Sequence, residues 1–355
     1  MSTPSFSQAL TDIATQLTVV DEYTYRLRGQ DYPVTYQQAY TKWHQPLQHF
    51  GQNSGDDGQA RLNLQNRLAQ VLYGTYYCTG RTDAPEPASL ALPSAAAREQ
   101  TMARLSAANQ TADGFDPAWT VYSVDGHGTA FVSKNGYLRQ LVPGQWEFTN
   151  PAETSLQVSA VVKLKMSRED KAVQPVFYHV RGRELVSQQA EFVRVYFHTT
   201  FTGAEQLVQG ITGTFNRYRL PFLFKCLNHP NLFTRTDSAV LYVSKFDFRL
   251  AARLLRPILD DMQAQLQATV PLFTRELRPG VSFSEDPGSG QSFGMNRCNL
   301  LAEALVSAHY KQLDSPEGQL AEIRRLLTKN GLDEQHLYRN PNSHLPYDFS
   351  LLHAG

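Results

Sequence analysis

The stretch Glu191–Leu227, EFVRVYFHTTFTGAEQLVQGITGTFNRYRLPFLFKCL, reads as strand, helix, strand, and its reading decides the fold. FVRVYF and PFLFKCL are short apolar runs rich in β-branched and aromatic residues, the composition that suits a pleated, half-buried surface. Side chains alternate along a strand, so Arg194, Tyr196 and His198 are expected on one side. A cation, a phenol and an imidazole then point the same way, and Lys225 adds a cation from the second strand.

Three further stretches group with this one: AVVKLKM (residues 160–166), FTRTDSAVLYV (residues 233–243) and EDPGSGQSFGMNRCNLLAEAL (residues 285–305). The same period of two puts Lys163 and Lys165 on one face of their strand. Lysine is uncommon in a buried apolar sheet unless it is paired or put to use. Collected on one sheet face, these cations would make a pocket for an anion. The competing reading is a solvated sheet face, with Arg235 and Asp237 as a plain surface ion pair worth under about 1 kcal/mol.

The whole chain sets the bounds. With 355 residues it can form one large domain or two ordinary ones. The 33 Lys plus Arg balance the 33 Asp plus Glu, which excludes the general basic field of a nonspecific nucleic-acid binder. Cys78, Cys226 and Cys298 are far apart, without metal-binding spacing, and fit a reduced, cytoplasmic compartment. The N-terminus has no positively charged start leading into an apolar run, and no membrane span is expected anywhere. Such a polar N-terminus is also compatible with injection into a host cell.

Residues 1–112 read as a helical N-terminal region with a linker. FSQALTDIATQL, YQQAYTKWHQPLQHF and ARLNLQNRLAQVLYGTYY have helical spacing, a short hairpin is expected within residues 19–35, and the linker is TGRTDAPEPASLALPS. Its aromatic helix faces are expected to be core; docking of a peptide or partner is the alternative. Residues 113–355 read as an α+β domain, an antiparallel or mixed sheet with helices on one face. WTVYSV, GTAFVS and GYLRQLV form a meander joined by turns, and helices are expected over residues 246–269, 297–313 and 316–331.

SEDPGSGQSFGMNR has neither Walker nor dinucleotide spacing. What it offers is a Gly- and Ser-rich turn into a helix, with Ser292 and Asn296 as candidate caps, Arg297 in the first turns, and amides that attract anions. An ordinary capped loop is the plainer reading. His198 alone fits a structural histidine as well as a catalyst, and His127 and His179 lie near turns and strands without obvious partners. There is no H-E-x-x-H, G-x-S-x-G or paired-cysteine motif, which excludes classical zinc hydrolases, serine hydrolases and kinases.

The ordered set VRVYF, PFLFKCL, RTDSAVLYV, VPLFTRELRPGVSFSEDP and QSFGMNRCNLLAEAL resembles the family of the type III effector HopA, over residues 119–309. The resemblance implies kinship with phosphothreonine lyases. Members in lanthipeptide and related biosynthesis clusters remove phosphate from phosphoserine or phosphothreonine to leave a dehydroamino acid. It implies a phosphorylated peptide or protein as substrate, a partner kinase and cyclase, and no metal or organic cofactor. Lys225 falls at a phosphate-binding lysine and Arg297 at a late phosphate-binding arginine. The lyases place a catalytic histidine on the earlier strand and a lysine on the next; here those strands carry Lys163 and Lys165, then Arg194, Tyr196 and His198.

Elimination removes the Cα proton while phosphate leaves Cβ. Crowded cations lower a lysine's pKa from about 10.4 and also stabilise the developing anion. On this reading Lys165 or Lys163 is the base, and Tyr196 or His198 protonates the leaving oxygen or orients the peptide. Arg194, Lys225, Arg235 and Arg297 hold the phosphate, and Asp237 holds an arginine. The alternative is a non-catalytic module that binds a phosphopeptide, a leader peptide or a host partner. A third reading, phosphoryl transfer, would be marked by dependence on ATP and Mg²⁺.

Overall fold

Within the polar N-terminal sequence one serine does a specific job. Ser5 accepts a hydrogen bond from the Gln8 amide and caps α1 (Phe6–Gln16), whose Ala9, Leu10, Ile13 and Ala14 face inward. The computed structural model of the protein describes residues 4–34, 56–84, 93–187 and 189–353; the expected helix at residues 36–50 and residues 85–92 of the Pro-rich linker lie outside them.

After α1 come three short antiparallel strands, β1 (Leu17–Asp21), β2 (Thr24–Leu27) and β3 (Gln30–Pro33). The expected hairpin is β2–β3, with Arg28 and Gly29 both at positive φ in its turn, as a tight two-residue loop requires. Next come α2 (Asp56–Val71), a π-helical turn over Leu72–Tyr77, and α3 (Ala95–Ala108).

The meander is larger than the sequence pattern indicates. It comprises β4 (Gly114–Val124), β5 (Ala130–Lys134), β6 (Tyr137–Leu141), β7 (Trp146–Phe148) and β8 (Val161–Met166), in the order β6-β5-β4-β8-β7. It closes over its own core of Trp119, Val121, Val132, Val162 and Leu164.

The principal sheet has seven strands: β9 (Glu169–Asp170), β10 (Phe177–Arg181), β11 (Phe192–Phe197), β12 (Leu223–Leu227), β13 (Ala239–Ser244), β14 (Arg275–Arg278) and β15 (Val281–Glu285). They lie in the order β14-β15-β11-β13-β12-β10-β9, and every pair is antiparallel. The fold is therefore α+β, and β11–helix–β12 is its middle as expected, with β13 inserted between the two strands.

One face of this sheet is apolar. Val193, Val195, Phe197, Phe224, Cys226, Leu241 and Phe283 pack against α4 (Phe201–Arg217) and α5 (Phe248–Asp261). Leu207, Val208, Ile211 and Phe215 of α4 are fully buried there, each worth roughly 1.5–3 kcal/mol. The opposite face carries the polar residues. The π-helical turn and α6 (Phe293–Tyr310) approach it, so helices stand on both sides of the sheet.

A second core joins the two ends of the chain. Leu10, Ile13, Leu64, Leu68 and Tyr76 share it with Leu301, Leu305, Ile323 and Leu326, the last two from α7 (Pro316–Lys329). No helix among the described residues is long and apolar enough to cross a membrane.

Candidate functional site

The register of the seven-stranded sheet fixes its polar face. Tyr196 lies opposite Val240 on one side and Ser282 on the other; Val240 lies opposite Lys225, and Lys225 opposite His179. One row therefore runs Ser282, Tyr196, Val240, Lys225, His179. The next row holds Ser284, Arg194, Tyr242 and Leu223. Directly opposed residues share a face, so Arg194, Tyr196 and Lys225 stand together as the alternation requires.

Arg194 and Tyr196 are deep. Arg194 donates to Asp286 Oδ2 from Nε at 2.7 Å and to the Gln291 carbonyl at 3.1 Å. Burial works against its charge, and Tyr242, Tyr196 and Asp286 together outweigh burial, so its pKa is raised. The Tyr196 hydroxyl lies 3.3 Å from that of Ser284, and burial raises its pKa, so it is a neutral phenol. His198 is also buried. Its Nδ1 lies 2.9 Å from the Thr269 carbonyl, an acceptor, so Nδ1 carries the hydrogen. Burial lowers its pKa.

Arg235 and Asp237 are not a surface pair. The guanidinium meets the carboxylate at 2.8 Å through both Nε and Nη2, and Asp237 is buried. Burial pushes the Asp237 carboxyl up, but Arg235 outweighs it and the net pKa is lowered. Tyr73, from the π-helical turn, accepts from Arg235 Nη2 at 2.8 Å and stacks on Tyr77 with ring centroids 5.2 Å apart. Tyr77 in turn interacts with Tyr196.

Lys225 is different. It is half-buried, its Nζ donates to Gln174 Oε1 at 3.1 Å, and it lies 4.4 Å from the centroid of the Phe177 ring. Arg194 and Arg235 each have a carboxylate within ion-pairing distance; for Lys225 none stands that close among the described residues. His179 opposite it is neutral, pushed down to about 4 by burial and then by the Lys225 charge.

Arg297, on α6, is 3% exposed and spends its fork on structure. It donates to the carbonyls of Leu337 at 2.9 Å and Arg339 at 2.5 Å, and to Asn296 Oδ1 at 2.5 Å. Burial lowers its pKa to about 10. Ser292 caps α6 by accepting from the Met295 amide at 3.2 Å; Asn296 lies inside the helix and is not its cap. The first turn of α6 is closed off further by Tyr77, whose ring packs over Gly294.

Lys163 and Lys165 do share a face, but of the five-stranded sheet. Both reach Glu147 on the adjacent β7, at 3.3 and 3.6 Å, and Lys163 lies 4.1 Å from the centroid of the Phe115 ring. The structure brings Arg194, Tyr196, Lys225, Arg235, Asp237 and, at the rim, His198 and Arg297 to one region, and leaves the two lysines on a sheet that shares no ladder with it. A strand's side-chain pattern does not encode which strands it pairs with. The residues that sequence reasoning missed are His179, Gln174, Tyr73 and Tyr77. Knowing that β10 pairs with β12 would have found His179. Among the described residues, no group of three His, Cys, Asp or Glu side chains could hold a metal ion.

Comparison with known proteins follows the same part of the chain. Residues 168–339 match the HopA1 effector protein family. No curated protein matches. Two solved structures are similar to the chain. The effector protein from Pseudomonas syringae pv. tomato strain DC3000 is 16% identical, with 85% of this chain and 96% of that one covered and a TM-score of 0.41. The effector protein from Pseudomonas syringae pv. syringae strain 61 is 14% identical, with 78% and 96% covered and a TM-score of 0.40. Over residues 168–339, just under half of its length, this chain is similar to the HopA1 effector protein family.

Proposed function

We propose that this protein is a phosphoserine or phosphothreonine lyase acting on a phosphorylated peptide, with Lys225 as the group that seats the phosphate. The observation that carries this reading is the state of Lys225. It is a cation on a mostly enclosed polar sheet face, reachable from solvent and, among the described residues, hydrogen-bonded to an amide alone, while Arg194 and Arg235 are each neutralised by a carboxylate. A phosphate monoester supplies the missing negative charge.

Arg194 and Arg235 stand behind it as ion pairs fixed in orientation by Asp286 and Asp237. Preorganised charge of this kind stabilises an anion without reorganising at the moment of reaction. Proton removal from Cα needs a neutral base near the bound phosphate, and His179 faces Lys225 across the ladder. The neutral phenols Tyr196 and Tyr77 are donors for the leaving oxygen or the peptide carbonyl. A partner kinase that makes the phosphopeptide and a cyclase that consumes the dehydroamino acid belong to the same reading.

Incubation of the purified protein with phosphoserine and phosphothreonine peptides, followed by mass spectrometry, tests it. The expected product has lost phosphoric acid, lies one water below the unphosphorylated peptide, and is absent with Lys225→Ala. Phosphopeptide binding without any mass change would instead establish a non-catalytic phosphopeptide-binding module. That second reading is favoured by one observation: Lys163 and Lys165, the bases expected from sequence, are held by Glu147 on the other sheet.

A further inference from the structure

His179 of β10 and Lys225 of β12 are directly opposed, and both side chains reach the same atom. Gln174 Oε1 lies 3.1 Å from Lys225 Nζ and 3.2 Å from His179 Nε2. A protonated lysine has donors and no acceptor, so the part of the Gln174 amide that faces it must be the carbonyl oxygen. The same oxygen can only accept, so His179 Nε2 carries a hydrogen and donates it. In the neutral ring the lone pair is then on Nδ1. Two hydrogen bonds to one amide thus fix the tautomer.

The charges facing this imidazole come from three strands: Lys225 on β12, Asp170 on β9, and Arg181 on β10 itself. Asp170 is already engaged, with Arg181 Nη2 at 3.3 Å and the amides of Ala172 and Val173 at 2.9 and 3.0 Å. The field that keeps the ring neutral is therefore mainly that of Lys225, added to burial.

We propose that a phosphate monoester seated on Lys225 switches His179 into a proton acceptor at Nδ1, with Gln174 as the positioning residue that holds the other nitrogen. The idea rests on the phosphate site proposed above. The dianion offsets the lysine's field on the imidazole, so proton uptake at His179 and anion binding at Lys225 favour each other. In the elimination, the Cα–H bond breaks and its proton goes to Nδ1. The electron pair left on Cα forms the Cα=Cβ double bond, the Cβ–O bond breaks, and phosphate leaves with the electron pair of the Cβ–O bond. No oxidant, reductant or further reactant is needed. An empty site holds only a weak base, so unphosphorylated serine and threonine are not attacked.

The test is a ¹⁵N-resolved NMR titration of the full chain's imidazoles, with and without saturating inorganic phosphate, His179 being assigned by His179→Gln. On phosphate binding, the His179 midpoint should rise by about one pH unit or more. Lys225→Met should raise the midpoint without phosphate and remove the response to it. Gln174→Met should keep the response but mix the two tautomers, visible in the nitrogen shifts. Phosphate that binds, seen by shifts at Lys225, without moving His179 overturns the coupling; phosphate that does not bind overturns the site as well. A protein that shows the coupled titration but eliminates nothing from phosphopeptides keeps this inference and loses the lyase reading.

Discussion

At the scale of single residues, the polar sheet face separates cations by what neutralises them. Arg194 is 7% exposed and answered by Asp286; Lys225 is answered by an amide. Removing one member of a buried pair leaves the other uncompensated, so Asp286→Ala should lower the unfolding free energy by about 3 kcal/mol in urea denaturation. An unchanged midpoint would mean that water reaches Arg194. That Arg194 and Tyr196 share a side was legible in FVRVYF, because alternation belongs to the strand itself. That Asp286 would meet Arg194 was not, since the loop carrying it is distant in the chain and nothing local records the meeting. His179 and Gln174 were hidden for a related reason. Each is unremarked in its own segment and gains a role only from the pairing of β10 with β12.

At the scale of elements, the π-helical turn decides how the N-terminal region meets the sheet. Turns of this kind add a residue to a helix and re-aim its side chains, and here they deliver Tyr73 and Tyr77 to the polar face. The third expected helix was legible from its apolar spacing as α2; its π-helical end was not, because LYGTYY has no signature distinct from an α-helix. Gly294 is the counterpart. A Cβ there would stand 2.5–2.6 Å from the Tyr77 ring, so Gly294→Ala should displace Tyr77 and cost about 1–3 kcal/mol. Thermal unfolding, with fluorescence of the tyrosines, checks both effects. The five-stranded sheet makes the opposite prediction. Because Lys163 and Lys165 are partly exposed and paired with Glu147, their joint replacement by alanine should change stability by under about 1 kcal/mol and leave phosphate binding in place. Isothermal titration with a phosphopeptide reads the second part, and loss of binding would restore the lysines to the site.

At the scale of the whole molecule, residues on both sides of position 112 share one core. Leu10, Ile13, Leu64 and Leu68 have as neighbours Leu301, Leu305, Ile323 and Leu326. A chain starting at residue 113 would expose that surface on α6 and α7, and it should show a collapsed circular-dichroism melt or aggregate outright. A cooperative melt near that of the full chain would establish independent folding. The α+β class was readable from the order of strand and helix patterns; the junction of the chain's two ends was not, since it lies between amphipathic helices whose apolar faces fit many partners.

The segment after α7 also has a temporal meaning. Arg297 is held by the carbonyls of Leu337 and Arg339, and Glu285 accepts from the Asn340 amide and the Ser343 and Tyr347 hydroxyls. Ribosomes add about 5–20 residues per second, so β15 and α6 emerge seconds before the groups that satisfy them. Until then the growing polypeptide carries a guanidinium and a carboxylate that the finished sheet must bury and cannot yet accommodate. A message truncated before codon 337 would therefore give a silent product rather than a weakened one.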